Sequence, residues 1–175
     1  MASTSPDYFA LLGLASQFDV DMAALESAYF KAQRQYHPDR FTGRPAPERQ
    51  QALQQSMDAN HAYATLKNPH TRAIYLLKQQ GIEVADSQTA QKPSPALLAE
   101  VMEWREQAEE AQTLKTLEPL MALLAGLQSE AIGNISQAFG NKDLERMAQE
   151  TMRLGYILKT SEDIRQKLKR LKIRA

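Results

Sequence analysis

The sequence predicts an all-α protein in two parts: an N-terminal helical hairpin closed by a polar loop, and a C-terminal three-helix bundle. Three observations carry this expectation. Apolar residues recur at intervals of three and four along most of the chain, the spacing of one helix face. Pro and Gly fall where one such run ends and the next begins. No stretch alternates apolar and polar residues as a half-buried strand does. A Ser-, Thr-, Gln- and Pro-rich segment without periodicity, 82–94, reads as a linker. It sets 1–81 as the first domain and 95–175 as the second.

Each element has its own signals. Pro6-Asp7 opens a short apolar helix carrying Tyr8, Phe9, Leu11 and Leu12, and Gly13 ends it. Asp19 or Asp21 caps the next helix, Met22 to Tyr36, whose inner face is Leu25, Ala28, Tyr29, Ala32 and Tyr36. Pro38 stops this helix, because proline lacks the N–H that the next turn needs and pushes His37 out of helical geometry. The segment from His37 to Pro47 holds Gly43, Pro45 and Pro47 and reads as irregular. A long helix from about Glu48 to Lys67 is expected to bury Leu53, Met57, Asn60 or Ala64, Tyr63 and Leu66. Asn68-Pro69 breaks it, and a shorter helix, Thr71 to Gln80, ends at Gly81.

Beyond the linker, Ser94 is a fitting N-cap with Pro95 at the first helical position. Leu97, Val101, Trp104, Ala108 and Ala111 form the first seam of the bundle. A second helix, about Leu117 to Phe139, has the seam Leu120, Leu124, Leu127, Ala131, Ile135 and Ala138; Pro119 falls in its first turn and Gly140 closes it. The third, about Asp143 to Leu171, turns Met147, Thr151, Leu154, Leu158 and Ile164 inward. Short connections between helices of this length favour antiparallel neighbours.

Composition narrows the function classes. The 175 residues carry 21 Lys plus Arg against 21 Asp plus Glu, so no net field attracts nucleic acid or an anionic membrane. The basic C-terminal run, Lys167 to Arg174, reads as cations at a helix end in preference to a nucleic-acid tail. The absence of cysteine removes disulfides and thiolate metal sites and suits a reducing cytoplasm. Three scattered histidines do not make a metal cage, so neither metal nor cofactor is expected. Of these, His61 reads as a packing or surface residue and His70 as part of a helix start. No secretory signal and no membrane span are expected.

Two groups of residues stand out. The first is His37-Pro38-Asp39, held at a helix tip beside Lys31, Arg34 and Arg40. A base–orienter pair is conceivable here. However, the two side chains flank a proline on an open loop with no nucleophile or third group, which argues against an enzyme. The second group lies on the first bundle helix, where Leu98 and Met102 fall off the seam, and so do Glu103, Glu106 and Glu110. An apolar spot rimmed by carboxylates fits a partner surface, and it equally fits a face that packs on the linker or the first domain.

The N-terminal pattern resembles a J-domain: Tyr8-Phe9-x-Leu-Leu-Gly-Leu, an amphipathic helix ending Tyr36-His37-Pro38-Asp39, then a long antiparallel helix. More closely, Gln33 to Asp39, Asn60-His61-Ala62-Tyr63-Ala64-Thr65-Leu66, Arg72-Ala73-Ile74-Tyr75-Leu76-Leu77 and Leu98 to Glu106 are similar to the HscB family of iron–sulfur co-chaperones. This resemblance implies a non-enzymatic protein that stimulates the ATPase of the DnaK-type chaperone HscA and delivers the scaffold protein IscU to it. His37, Pro38, Asp39, Lys31, Arg34 and Arg40 would then meet the chaperone. Leu98, Ala99, Met102, Glu103, Glu106, Glu110 and Tyr156 would meet the scaffold, with Tyr156 beside the patch if the first and third bundle helices are neighbours. Ala99 departs from the family, which often has a larger apolar residue there. The eukaryotic N-terminal cysteine pairs are absent, which favours a bacterial form without structural zinc. A general J-protein for unfolded clients is the alternative.

Overall fold

Asp7 starts the first helix by accepting the Phe9 N–H at 3.0 Å, and Gly13 ends it in the left-handed region that glycine adopts without strain. The structure, a computed structural model, describes residues 7–84 and 92–174. Its helices are α1 (Tyr8–Leu12), α2 (Met22–Tyr36), α3 (Ala46–Lys67), α4 (Pro69–Gln79), α5 (Pro95–Glu110), α6 (Leu114–Gly140) and α7 (Leu144–Arg174), with a 3-10 turn at Pro38–Phe41. No strand occurs among the described residues. Pro6 and the middle of the expected linker, 85–91, lie outside them. The chain separates by compactness into Met1–Arg72 and Ala73–Ala175, so the division falls inside α4, ahead of the expected linker.

In the first unit α2 and α3 form an antiparallel hairpin, and α1 packs against both. Asp21 is the cap of α2, accepting the N–H groups of Ala23 and Ala24. The hairpin is zipped by side chains. Gln33 donates to Ser56 O and Asn60 Oδ1, Ser56 donates back to Gln33 Oε1, and the Tyr29 hydroxyl donates to Asn60 Oδ1 at 2.9 Å. Tyr29 stacks on Tyr63 with ring centres 4.2 Å apart.

The buried face of α3 differs from the expected one. Ala52, Ser56, Ala59, Ala62 and Leu66 are buried, whereas Leu53 and Met57 are exposed by 50% and 45%, Asn60 and Ala64 are exposed, and Tyr63 is half-buried. The physical reason is close packing. Small side chains let α3 approach α1 and α2, and the burial comes from the neighbours' Phe9, Leu12 and Leu25. A search for large apolar residues finds the adjacent stripe instead.

Arg72 closes the bottom of this unit. It is buried, with one guanidinium nitrogen donating to Leu66 O at 2.6 Å and the carbon 5.0 Å from the centre of the Phe18 ring. Burial lowers its pKa, and nearby Asp19 partly opposes that.

In the second unit Ser94 caps α5 through the Leu97 N–H, with Pro95 at the first position. α6 begins one turn earlier than its seam suggests, because Thr113 and Thr116 form a reciprocal capping box. Pro119 is therefore in the helix interior and not in its first turn. At the far end Gly140 remains helical, and the left-handed residue of the turn into α7 is Lys142. Asp143 then caps α7 through the Arg146 N–H.

α6 and α7 pack on each other through Leu117, Leu124, Ile135, Met147, Leu154 and Ile164, all fully buried. Leu127 and Leu158, expected on the seams, are half-buried, and Ile157 is the fully buried residue beside Leu158. α5 buries only Val101 and Trp104 along its length.

The register of α3 is testable by equilibrium urea unfolding. Ala59→Leu overpacks the α1–α2–α3 junction and is expected to cost about 1–3 kcal/mol, while Leu53→Gln stays within about 0.5 kcal/mol. The reverse ranking would mean that α3 buries the other stripe.

Candidate functional site

The first group of residues gathers at the tip of the α2–α3 hairpin. His37 ends α2 with extended backbone, φ −58° and ψ 129°, as a residue before proline must. The segment after it is not wholly irregular: Pro38–Phe41 winds into a 3-10 turn that packs on α3. The Asp39 N–H donates to His37 Nδ1 at 3.3 Å, which leaves Nε2 as the protonated nitrogen of the neutral ring. Asp39 Oδ2 lies 3.6 Å from the same Nδ1 and pairs with it when the ring is protonated. Both side chains are exposed. The arrangement is an exposed polar tip carried on a 3-10 turn that packs on α3.

The basic residues flank this tip. Arg40 folds back from the turn, and its guanidinium donates to Arg34 O near the end of α2 at 3.0 Å. A cation at a helix C-terminus is favourable. Here it also brings Arg40 beside Lys31 and Arg34, and the three line one hollow of about 410 Å³ with Ser27 and Gln35. The sequence signal for Lys31 and Arg34 was their three-residue spacing. Ser27 and Gln35 carry no such signal and emerge only from the folded helix.

The second group lies on α5 and α7. Leu98 and Met102, one turn apart, are exposed by 41% and 71%. Beside them Ala99, Glu103, Glu106 and Glu110 step along the same helix at exposed positions. Gln107 donates to Glu103 Oε1 at 3.3 Å. α5 and α7 are neighbours: Arg153 of α7 reaches Glu100 of α5 at 3.7 Å and Glu130 of α6 at 3.5 Å. Tyr156 therefore sits on a helix that neighbours the one bearing the patch, and its side chain is half-buried. Leu97, Glu100, Met152 and Arg153 line a hollow of about 470 Å³ between the two helices, one turn before Tyr156.

His61 is exposed, and His70 sits in the first turn of α4, where its N–H donates to Asn68 Oδ1 at 2.8 Å. Among the described residues no three His, Cys, Asp or Glu side chains are arranged to hold a metal ion. No helix among them is long and apolar enough to cross a membrane.

A helical hairpin carrying His-Pro-Asp at its tip, with a basic α2, defines a J-domain protein, and the DnaJ domain model matches residues 7–75. Residues 93–165 match the HSCB C-terminal oligomerisation domain. The chain belongs to the HscB co-chaperone family. It is 40% identical over 172 residues to the co-chaperone HscB homologue of Cupriavidus taiwanensis, covering 94% of this chain and 95% of that one. It is 35% identical over 175 residues to the homologue of Burkholderia multivorans, covering 98% and 99%. Its fold is similar to that of human HscB, with a TM-score of 0.87 at 32% identity over 94% of this chain and 83% of that one. Chaperone HscB from Vibrio cholerae gives a TM-score of 0.84 at 29% identity over 95% and 99%.

The exposure of Leu98 and Met102 separates the patch from the core energetically. Leu98→Ala with Met102→Ala is expected to change stability by less than about 1 kcal/mol, whereas Val101→Ala, one position away but buried, costs about 1–3 kcal/mol. Urea unfolding followed by the fluorescence of Trp104 measures both. A patch variant as costly as Val101→Ala would show that these residues belong to the core.

Proposed function

We propose that this protein is a non-enzymatic co-chaperone of the cytoplasm that stimulates the ATPase of a DnaK-type chaperone, HscA, and delivers the iron–sulfur scaffold IscU to it. Lys31, Arg34 and Arg40 dock on an acidic surface of the ATPase domain, with His37, Pro38 and Asp39 placed to bias that domain toward its hydrolysis-competent state. A partner shifts such an equilibrium only by binding the two states unequally. A loop built on Pro38 and a 3-10 turn packed on α3 suits this role, since such local structure lessens the ordering that opposes binding.

Leu98, Ala99, Met102, Glu103, Glu106, Glu110 and Tyr156 hold the scaffold protein. The exposed apolar pair supplies buried area on binding, and the carboxylates select a partner with basic groups around an apolar spot. Ala99 adds little area, so Leu98 and Met102 carry more of the contact. One chain holding both partners raises their effective concentration for each other. The observation that carries this reading is the gathering of three cations around one hollow beside the His-Pro-Asp tip, in a chain that also exposes an acid-rimmed apolar patch. A general J-protein would need no such selective rim.

Two variants test the separation of roles. His37→Gln is expected to return chaperone ATPase to its basal rate while affinity for the scaffold stays within about twofold. Leu98→Ala with Met102→Ala is expected to weaken scaffold binding by at least about thirtyfold, the size of a lost hot spot, while stimulation without scaffold persists. Titration calorimetry and steady-state ATPase assays give both numbers. Loss of both activities in either variant would argue against two sites, and tighter binding of a denatured client than of folded scaffold would favour the general J-protein.

A further inference from the structure

α5 has a poorly built C-terminus. Its last turn contains Glu109 and Glu110 and no basic residue, and Glu106 lies one turn before. Carboxylates at this end face the negative pole of the helix dipole and loosen the last turn. No left-handed residue closes the helix either. Its C-cap is Ala111, with extended backbone (φ −66°, ψ 118°), whose N–H satisfies only Gln107 O.

The next two carbonyls are satisfied from elsewhere in the chain. Lys167 of α7 donates from Nζ to Ala108 O at 2.6 Å and to Glu109 O at 2.8 Å. Its stem lies one turn beyond the buried Ile164, half-buried between α5 and α7, where Arg105, Glu109 and Asp163 share the same hollow of about 500 Å³. Apolar anchoring at this end is confined to small side chains, the half-buried Ala108 and the buried cap Ala111; the larger buried residues Val101 and Trp104 lie further back, and the Arg153–Glu100 contact lies near the start of α5.

We infer that Lys167 is a positioning residue for the partner-binding helix. Its ammonium satisfies the two carbonyls that the Ala111 cap leaves open and offsets the carboxylates that the partner surface requires there, and so fixes Glu106 and Glu110 in place. This rests on the reading of α5 as the scaffold-binding helix. The acids that select the partner work against their own helix, and a cation from the neighbouring 31-residue helix α7 compensates.

The test compares Lys167→Met, Lys167→Arg and, as a control, Lys169→Met, which removes a charge of the same sign from an exposed position. Two quantities are read on the full chain: amide hydrogen exchange across 107–111, and affinity for an IscU-type scaffold protein. Lys167→Met is expected to speed exchange in that turn by about tenfold, the loss of a charge-assisted cap, and to weaken scaffold binding by about fivefold. Lys167→Arg, which keeps charge and donors, restores most of both, and Lys169→Met changes neither. Should Lys167→Met fail to fold, Lys167→Gln is measured the same way.

Unchanged exchange in the Lys167 variant overturns the cap. Faster exchange with undiminished affinity overturns the positioning role. A wild-type chain that does not bind the scaffold sinks both this inference and the function it rests on, whereas a wild-type chain and a Lys167→Met chain that bind equally well sink this inference alone.

Discussion

Everything at the tip of the first unit depends on the polar zip between α2 and α3. Gln33 exchanges hydrogen bonds with Ser56 and Asn60, Tyr29 joins at Asn60, and Tyr29 stacks on Tyr63. These contacts fix the register of two helices whose common surface holds few large apolar groups. Ser56 is buried and Gln33 half-buried, so the hydrogen bonds between them replace those lost to water only when the two side chains align. The exposed Asn60 adds directional contacts to Gln33 and Tyr29, and one alignment is favoured over its slipped neighbours. With the register fixed, α3 becomes the platform for the 3-10 turn. His37-Pro38-Asp39 is thus held by the hairpin beneath it as well as by its own proline.

The same economy appears at three helix ends. Arg40 satisfies a carbonyl at the end of α2, Arg72 one at the end of α3, and Lys167 two at the end of α5. In each case a cation arriving from later in the chain replaces a glycine cap. At α2 this arrangement places Arg40 among the basic residues of the hollow. At α5 it offsets the acids that line the outer face. α6 and α7 supply the buried core of the second unit, which leaves α5 free to spend most of its surface on polar and exposed apolar residues.

Much of this is legible in the sequence; the misses come either from weak local signals or from contacts that depend on which helices become neighbours. The periodic seam gave α2 its limits, Met22 to Tyr36, and Ser94-Pro95 marked the start of α5, because capping chemistry and proline geometry are local. The buried face of α3 was missed because alanine and serine at close helix contacts carry little hydrophobic signal, while Leu53 and Met57 one position away carry much. Pro119 was misplaced because a Thr-x-x-Thr box is a weaker start signal than an apolar seam. Of the candidate site, the spacing of Lys31 with Arg34 and of Leu98 with Met102 could be read directly. The fold-back of Arg40, the part of Ser27 and Gln35 in the hollow, and the reach of Lys167 across 58 residues to Glu109 could not, since they depend on which helices become neighbours.

The central claim is that one chain brings a trigger and a cargo to the same chaperone. The most direct measurement is the steady-state ATPase rate of the DnaK-type chaperone with this protein alone, with the scaffold protein alone, and with both. The account predicts stimulation by the pair well beyond the sum of the two separate effects, as expected when tethering raises the local concentration of scaffold. A combined rate no greater than that sum would contradict it.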